Sequence, residues 1–200
     1  MVDVSAIQEL LDKHFTIMGT THIDAETGVV DVEGKVGLTH RVAQMPVQFG
    51  TVTGNFSCSE RRLETLAGSP HTVGKDFSCS KNRLTTLVGG PAWVGGAYFA
   101  SNNQLTSLVG APDHVGRSLQ VNTNPLTSLE GMPVELKDRI WLDYTFDLPL
   151  LRLLETKDMM SNAPDPVRVI LVKYAGQGKP GALKAAAELI RAGFKANAKW

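Results

Sequence analysis

A phrase of 21 residues recurs through the middle of the chain, and no other feature restricts its folding so tightly. From Phe56, Phe77, Tyr98 and Leu119 the segments read FSCSERRLETLAGSPHTVGKD, FSCSKNRLTTLVGGPAWVGGA, YFASNNQLTSLVGAPDHVGRS and LQVNTNPLTSLEGMPVELKDR. Repetition at a fixed period of about 20–50 residues is the signature of a solenoid, in which each unit contacts mainly its neighbours. One coil of this kind buries about five apolar side chains, each worth roughly 1.5–3 kcal/mol. Ordering its backbone costs on the order of 1–2 kcal/mol per residue. A lone coil loses that contest, so the units must stack.

Within each unit the apolar positions alternate. Phe56, Phe77, Tyr98 and Leu119 share one position, and Cys58, Cys79, Ala100 and Val121 follow two residues later. Residues two apart on a strand share a face, so both sets are expected to point inward. Leu63, Leu84, Leu105 and Leu126 come next, then Leu66, Leu87, Leu108 and Leu129. Gly68, Gly89, Gly110 and Gly131 precede Pro70, Pro91, Pro112 and Pro133, which predicts an extended or turn-like return rather than an α-helix. Val73, Val94, Val115 and Leu136 close the coil. Ile140 and Leu142 continue the offsets into a fifth strand, after which the repeat stops. Val36, Leu38, Val42 and Met45 stand one coil before the first full unit and predict a degenerate opening coil.

The flanks read as caps for the open ends of the stack. Residues 5–14 predict a helix with Ser5 as N-cap and Ile7, Leu10 and Leu11 as its apolar stripe. FTI (15–17) and VVDV (29–32) predict a hairpin turning near Thr27-Gly28. Beyond Asp147 three helices are expected: 148–157, 167–174, and one from Pro180 whose Leu183, Ala187 and Leu189/Ile190 supply the apolar face. The expected fold is α+β: an N-terminal helix and hairpin cap (1–35), a solenoid with a parallel sheet of about five strands (36–145), and a three-helix C-terminal cap (146–200).

The register of strand, polar residue and Leu-x-x-Leu resembles the leucine-rich repeat in its short bacterial form, over about residues 36–143. FSCSKNRL and YFASNNQL approximate the family pattern L-x-x-L-x-L-x-x-N-x-L, with Asn82, Asn103 and Asn124 at the asparagine position and Arg61 departing from it. The resemblance implies a ladder of asparagine amides bonded to turn backbone. The recurring CS-x-N-x-LTSL-x-G-x-P-x-x-V-G, and the closing KYAGQGKPGALKAAAELIRAGFKANAKW, also look like uncharacterised proteins of tailed bacteriophages. Short bacterial repeats of this kind resemble those of effector ubiquitin ligases, which add a catalytic cysteine domain. No cysteine follows Cys79, so that activity is not carried over.

Charge and motif content point away from catalysis. Lys and Arg total 20 against 20 Asp and Glu, so no overall field draws the protein to nucleic acid or an anionic membrane. Two cysteines, no signal peptide and no long apolar run lead to the expectation of a cytoplasmic protein (host cytoplasm or virion, if phage-encoded). Cys58 and Cys79 lie one period apart, and core packing is the simpler reading than a redox pair or half a metal site. AGQGKPG (175–181) lacks the Ser or Thr that a phosphate loop needs after its lysine, and reads as a helix–helix turn. His14, His22, His40, His71 and His114 show no ligand spacing, with His71 and His114 expected in surface turns. Glu60 and Glu64 are not on a predicted helix, so no acid/base pair is indicated. No catalytic, cofactor-binding or metal-binding residue is assigned.

The outward face of the strands is the expected site. Ser57 and Ser59 begin it, and the partner-binding residues are Ser78, Ser80, Phe99, Ser101, Gln120, Asn122, Trp141 and Asp143, with Tyr144 nearby. Exposed aromatics anchor interfaces. The expectation is a non-enzymatic protein-binding solenoid acting on a host or phage protein; a virion or assembly component is the alternative. A third reading, nucleic-acid binding, rests on Arg168, Lys173, Lys179, Lys184, Arg191, Lys195 and Lys199. It is the less favoured, because nine Lys and Arg against four Asp and Glu from Leu148 onward is a small excess spread over several faces.

Overall fold

The computed structural model describes residues 2–143, 149–151, 153, 158–161 and 164–199. Its chain opens with helix α1 (Val4–His14), and Asp3 rather than Ser5 is the N-cap: the Asp3 carboxylate accepts the Ala6 N–H at 3.1 Å. The Phe15 N–H returns to the Leu11 carbonyl, and the chain passes without a loop into strand β1 (Phe15–Ile23). β1 pairs antiparallel with β2 (Val30–Leu38) through nine residue pairs, from Phe15–Leu38 to Ile23–Val30. The hairpin is longer than its apolar runs predict. Its turn is organised by Asp24, whose carboxylate accepts the N–H groups of Glu26 and Thr27 and the Thr27 hydroxyl.

β2 is the template of the stack. Its first half pairs parallel with β3 (Phe49–Val52) and its second half with β4 (Phe56–Ser57). Each later coil repeats that division. One ladder runs from β3 through β5 (Thr72–Val73), β7 (Trp93–Val94), β9 (His114–Val115) and β11 (Glu135–Leu136). The other runs from β4 through β6 (Phe77–Ser78), β8 (Tyr98–Phe99), β10 (Leu119–Gln120) and β12 (Arg139–Leu142). The result is a parallel β-solenoid of about five turns at the 21-residue spacing, with the leucines of the returning side buried between the ladders. The amides of Cys58, Cys79, Ala100 and Val121 each reach the next coil at 2.8 Å. One strand beyond the visible repeat, β13 (Asp158–Ser161), pairs parallel with β12 and extends the second ladder to six.

Three columns hold the coils in register. Down the core, Phe56 stacks on Phe77 at 5.7 Å between ring centroids and Phe77 on Tyr98 at 5.0 Å. In the turns, the Asn82, Asn103 and Asn124 amides form a ladder: Asn82 Nδ2 donates to the carbonyls of Cys58 and Cys79, and its Oδ1 accepts the Arg61 and Leu63 amides. Arg61, standing where an asparagine is missing, donates from Nε to the Leu38 carbonyl at 2.6 Å. At the corner between the two strands a Cβ on Gly74, Gly95 or Gly116 would collide with the carbonyl oxygen of Thr53, Gly74 or Gly95 in the preceding coil. Close stacking therefore requires the bare backbone there.

Two α-helices close the C-terminal side, α2 (Asp165–Tyr174) and α3 (Gly178–Arg191). The helix expected over 148–157 falls mostly outside the described residues. α3 buries only part of its expected apolar face, with Leu189 inside and Leu183 out. Leu183 is 75% exposed and Ile190 half-exposed, whereas Gly181, Ala182, Ala185 and Leu189 face inward. These small residues let α3 approach closely, and Glu188 clamps it to α2 by accepting from Lys173 Nζ at 2.7 Å and from the Tyr174 hydroxyl at 2.6 Å. No helix among the described residues is long and apolar enough to cross a membrane.

Candidate functional site

Strands of two residues put alternate side chains on opposite sides, so the residue after each buried aromatic faces out. Phe99, Gln120 and Trp141 are consecutive ladder partners and form one outward column with Ser57 and Ser78 before them. Ser59, Ser80, Ser101, Asn122 and Asp143 form the next column along. Its hydroxyls are largely engaged. Ser59 Oγ lies 2.6 Å from Ser78 Oγ, and Ser101 donates to Asn122 Oδ1 at 2.6 Å. The Asp143 carboxylate accepts the Thr123 amide. Ser101, expected on an open surface, is only 8% exposed and turns its hydroxyl to Asn122 of the next coil. Ser78, Ser80, Phe99, Gln120, Asn122 and Asp143 are half-buried.

Trp141 is the most open aromatic of this column, on the last strand before β13. It is 36% exposed, and the Arg139 guanidinium, two residues earlier on the same strand, lies 5.9 Å from its ring centroid. Tyr144 lies outside the described residues. Trp and Arg are the side chains that most often dominate binding energy, because each combines a large contact area with a directional polar group.

The first ladder presents a second outward column that sequence reasoning passed over. Thr51, Thr72, Trp93, His114 and Glu135 are successive ladder partners. Trp93 and His114 stack at 5.1 Å and 8°, and His114 Nδ1 lies 2.8 Å from Glu135 Oε2. His114 is therefore a strand residue held between two partners, not a free turn residue. Trp93 remains 40% exposed, with its ring edge over the space that a Cβ on Gly95 would fill. The signal lies in the spacing, since these residues are 21 apart and His114 shares the register of Trp93.

The remaining chemical candidates have structural placements. Cys58 and Cys79 are free and fully buried; burial pushes both thiols up, Cys79 to about 12. Residues 175–177 form the turn between α2 and α3, with Gly176 and Gly178 at positive φ. His14 meets the edge of the His40 ring at 5.2 Å, and its burial holds it below the usual histidine range. On the basic helices, Arg168 is paired with Asp165 and Lys173 with Glu188.

Comparison of the chain with protein-family models, with curated proteins and with solved structures returns no match to any of them.

Proposed function

We propose that the protein is a non-enzymatic binding solenoid that presents the outward face of its second ladder to a protein partner. The observation that carries this reading is the Phe99–Gln120–Trp141 column, which includes a part-exposed indole flanked by Arg139. A rigid ladder holds these side chains at about 4.8 Å intervals, so an extended surface is offered with little entropy left to lose on binding. The wording of the repeat supports a leucine-rich repeat of the short bacterial form, carried by a tailed phage and directed at a host or phage protein.

The test begins with capture from bacterial lysate, identification of the bound protein, and direct affinity measurement with that protein. Phe99→Ala and Trp141→Ala are expected to weaken binding by tenfold or more each, in line with the 2 kcal/mol or so of a hot-spot aromatic. Trp93→Ala, on the other ladder, should bind as wild type. Retention of affinity by both ladder-two variants refutes the assigned face. A second reading, a spacer within a virion, rests on the uniform stacking of the coils; finding the chain in purified particles would favour it.

A further inference from the structure

We infer that the free edge of β1 is a self-association surface, at which two copies of the chain join head to head into one continuous sheet. Among the described residues β1 has a strand on one side only. The Thr39 amide bonds the His14 carbonyl and the Asp24 amide bonds the Val29 carbonyl. Even-numbered residues therefore turn their backbone groups toward β2. The odd ones turn theirs away. Phe15 returns its amide to Leu11, while the N–H and C=O groups of Ile17, Gly19, Thr21 and Ile23 have no hydrogen-bond partner among the described residues.

Natural edge strands of this length are guarded by lysine, proline, a bulge or a covering element. FTIMGTTHI contains neither lysine nor proline, and its pairing with β2 runs without interruption. Along this edge lies a groove of about 450 Å³, walled by Gln8, Leu11 and Asp12 of α1 and by Phe15, Ile17, Gly19 and Thr21 of β1. An extended strand is the object whose hydrogen bonds fit such a place.

A second β1 fits it in one register that uses every free group. In an antiparallel pair centred on Thr20, Ile17 faces the partner's Ile23, and Gly19 faces the partner's Thr21. Each of these pairs exchanges two N–H···O bonds. The same register sets Thr20 against the partner's Thr20 and the exposed Met18 (68%) against the partner's His22. Ile17 meets Ile23, Thr20 meets Thr20, and no like charges are opposed. An edge of this kind is its own complement.

The test is the mass of the full-length chain in solution by analytical ultracentrifugation at tens of micromolar. Wild type is expected to be a dimer. Thr20→Lys and Thr20→Glu, at an exposed position that the monomer does not use, should each halve the mass, with circular dichroism unchanged. Mixing the two should restore a heterodimer, because residue 20 faces itself across the two-fold axis. Thr21→Pro removes an edge donor while leaving the β1–β2 bonds intact, and should also give the monomer. A monomeric wild type overturns the proposal, including one that accepts a strand from another protein at this edge. Dimers that persist in Thr20→Lys, or fail to re-form in the charge-swapped mixture, overturn it equally.

Discussion

The side-chain oxygen of Asn103 accepts the backbone N–H of Leu84, one coil earlier, at 3.1 Å. The same amide donates to the carbonyls of Cys79 and Ala100, both at 3.1 Å. One buried side chain thus satisfies backbone groups in two coils. Replacing it with alanine leaves those groups unpaired in a place water does not reach. Asn103→Ala should cost about 3 kcal/mol, from unmade bonds worth 1–3 kcal/mol each. Urea unfolding of the folded chain measures it. A loss below about 1 kcal/mol would mean that water or a local shift replaces the amide.

Cys58 and Cys79 make a sharper claim about reactivity. A thiol must ionise to attack, and burial opposes the charge, holding Cys79 at about 12 and Cys58 well above its usual range. A disulfide-exchange reagent at pH 8 should find no reactive thiol in the native protein and both in denaturant. Rapid labelling of either under native conditions would contradict their burial.

Backbone strain recurs at one place per coil. Glu60, Lys81, Asn102 and Thr123, each 21 residues apart, adopt φ between 57° and 62° at the turn after the second strand. Asparagine tolerates that region; a β-branched residue does not. Thr123→Asn should therefore stabilise the fold by about 1 kcal/mol, the low end of the cost of such a conformation. Thermal and urea midpoints should both rise.

The α2–α3 clamp predicts a pH dependence at the C-terminal side. Hydrogen bonds from Lys173 and then Tyr174 lower the Glu188 carboxyl below its ordinary 4.5. Because the folded value is the depressed one, the clamp's contribution is present above pH 4.5 and is lost as pH falls through the folded value. Lys173 is shifted upward by the same contact, so its contribution is complete below 10.5 and is lost as pH climbs through its raised value. Hydrogen exchange of α3 amides should quicken at both ends, and Glu188→Gln should flatten the acid limb. An unchanged acid limb in that variant would place the sensitivity elsewhere.

Much of this architecture was legible in the chain because a repeat reports its own contacts. Residues at equal offsets must meet: Phe56 lies over Phe77, Leu84 and Leu105 share the core, and Asn82 prefigures the amide ladder. The outward column through Phe99 and Trp141 followed from alternation alone. The parts that were not legible share a cause, which is competition between groups of similar local merit. Asp3 and Ser5 are both able N-caps, and only the position of the first turn separates them. In α3 hydropathy favours Leu183, but packing against the rest of the chain buries Gly181, Ala182 and Ala185 instead.

The sequence by itself determined the period, the identity of the inward residues and the need to stack, because a 21-residue coil cannot be stable alone. Tertiary structure decided where the regular stack ends and what its ends expose. β13 adds a strand that no repeated phrase announces, His114 is captured between Trp93 and Glu135, and the edge of β1 finds no strand partner among the described residues. Those outcomes depend on which surfaces meet across distant parts of the chain. Local pattern carries no record of such meetings, since the same short strand serves equally well in the middle of a sheet or at its margin.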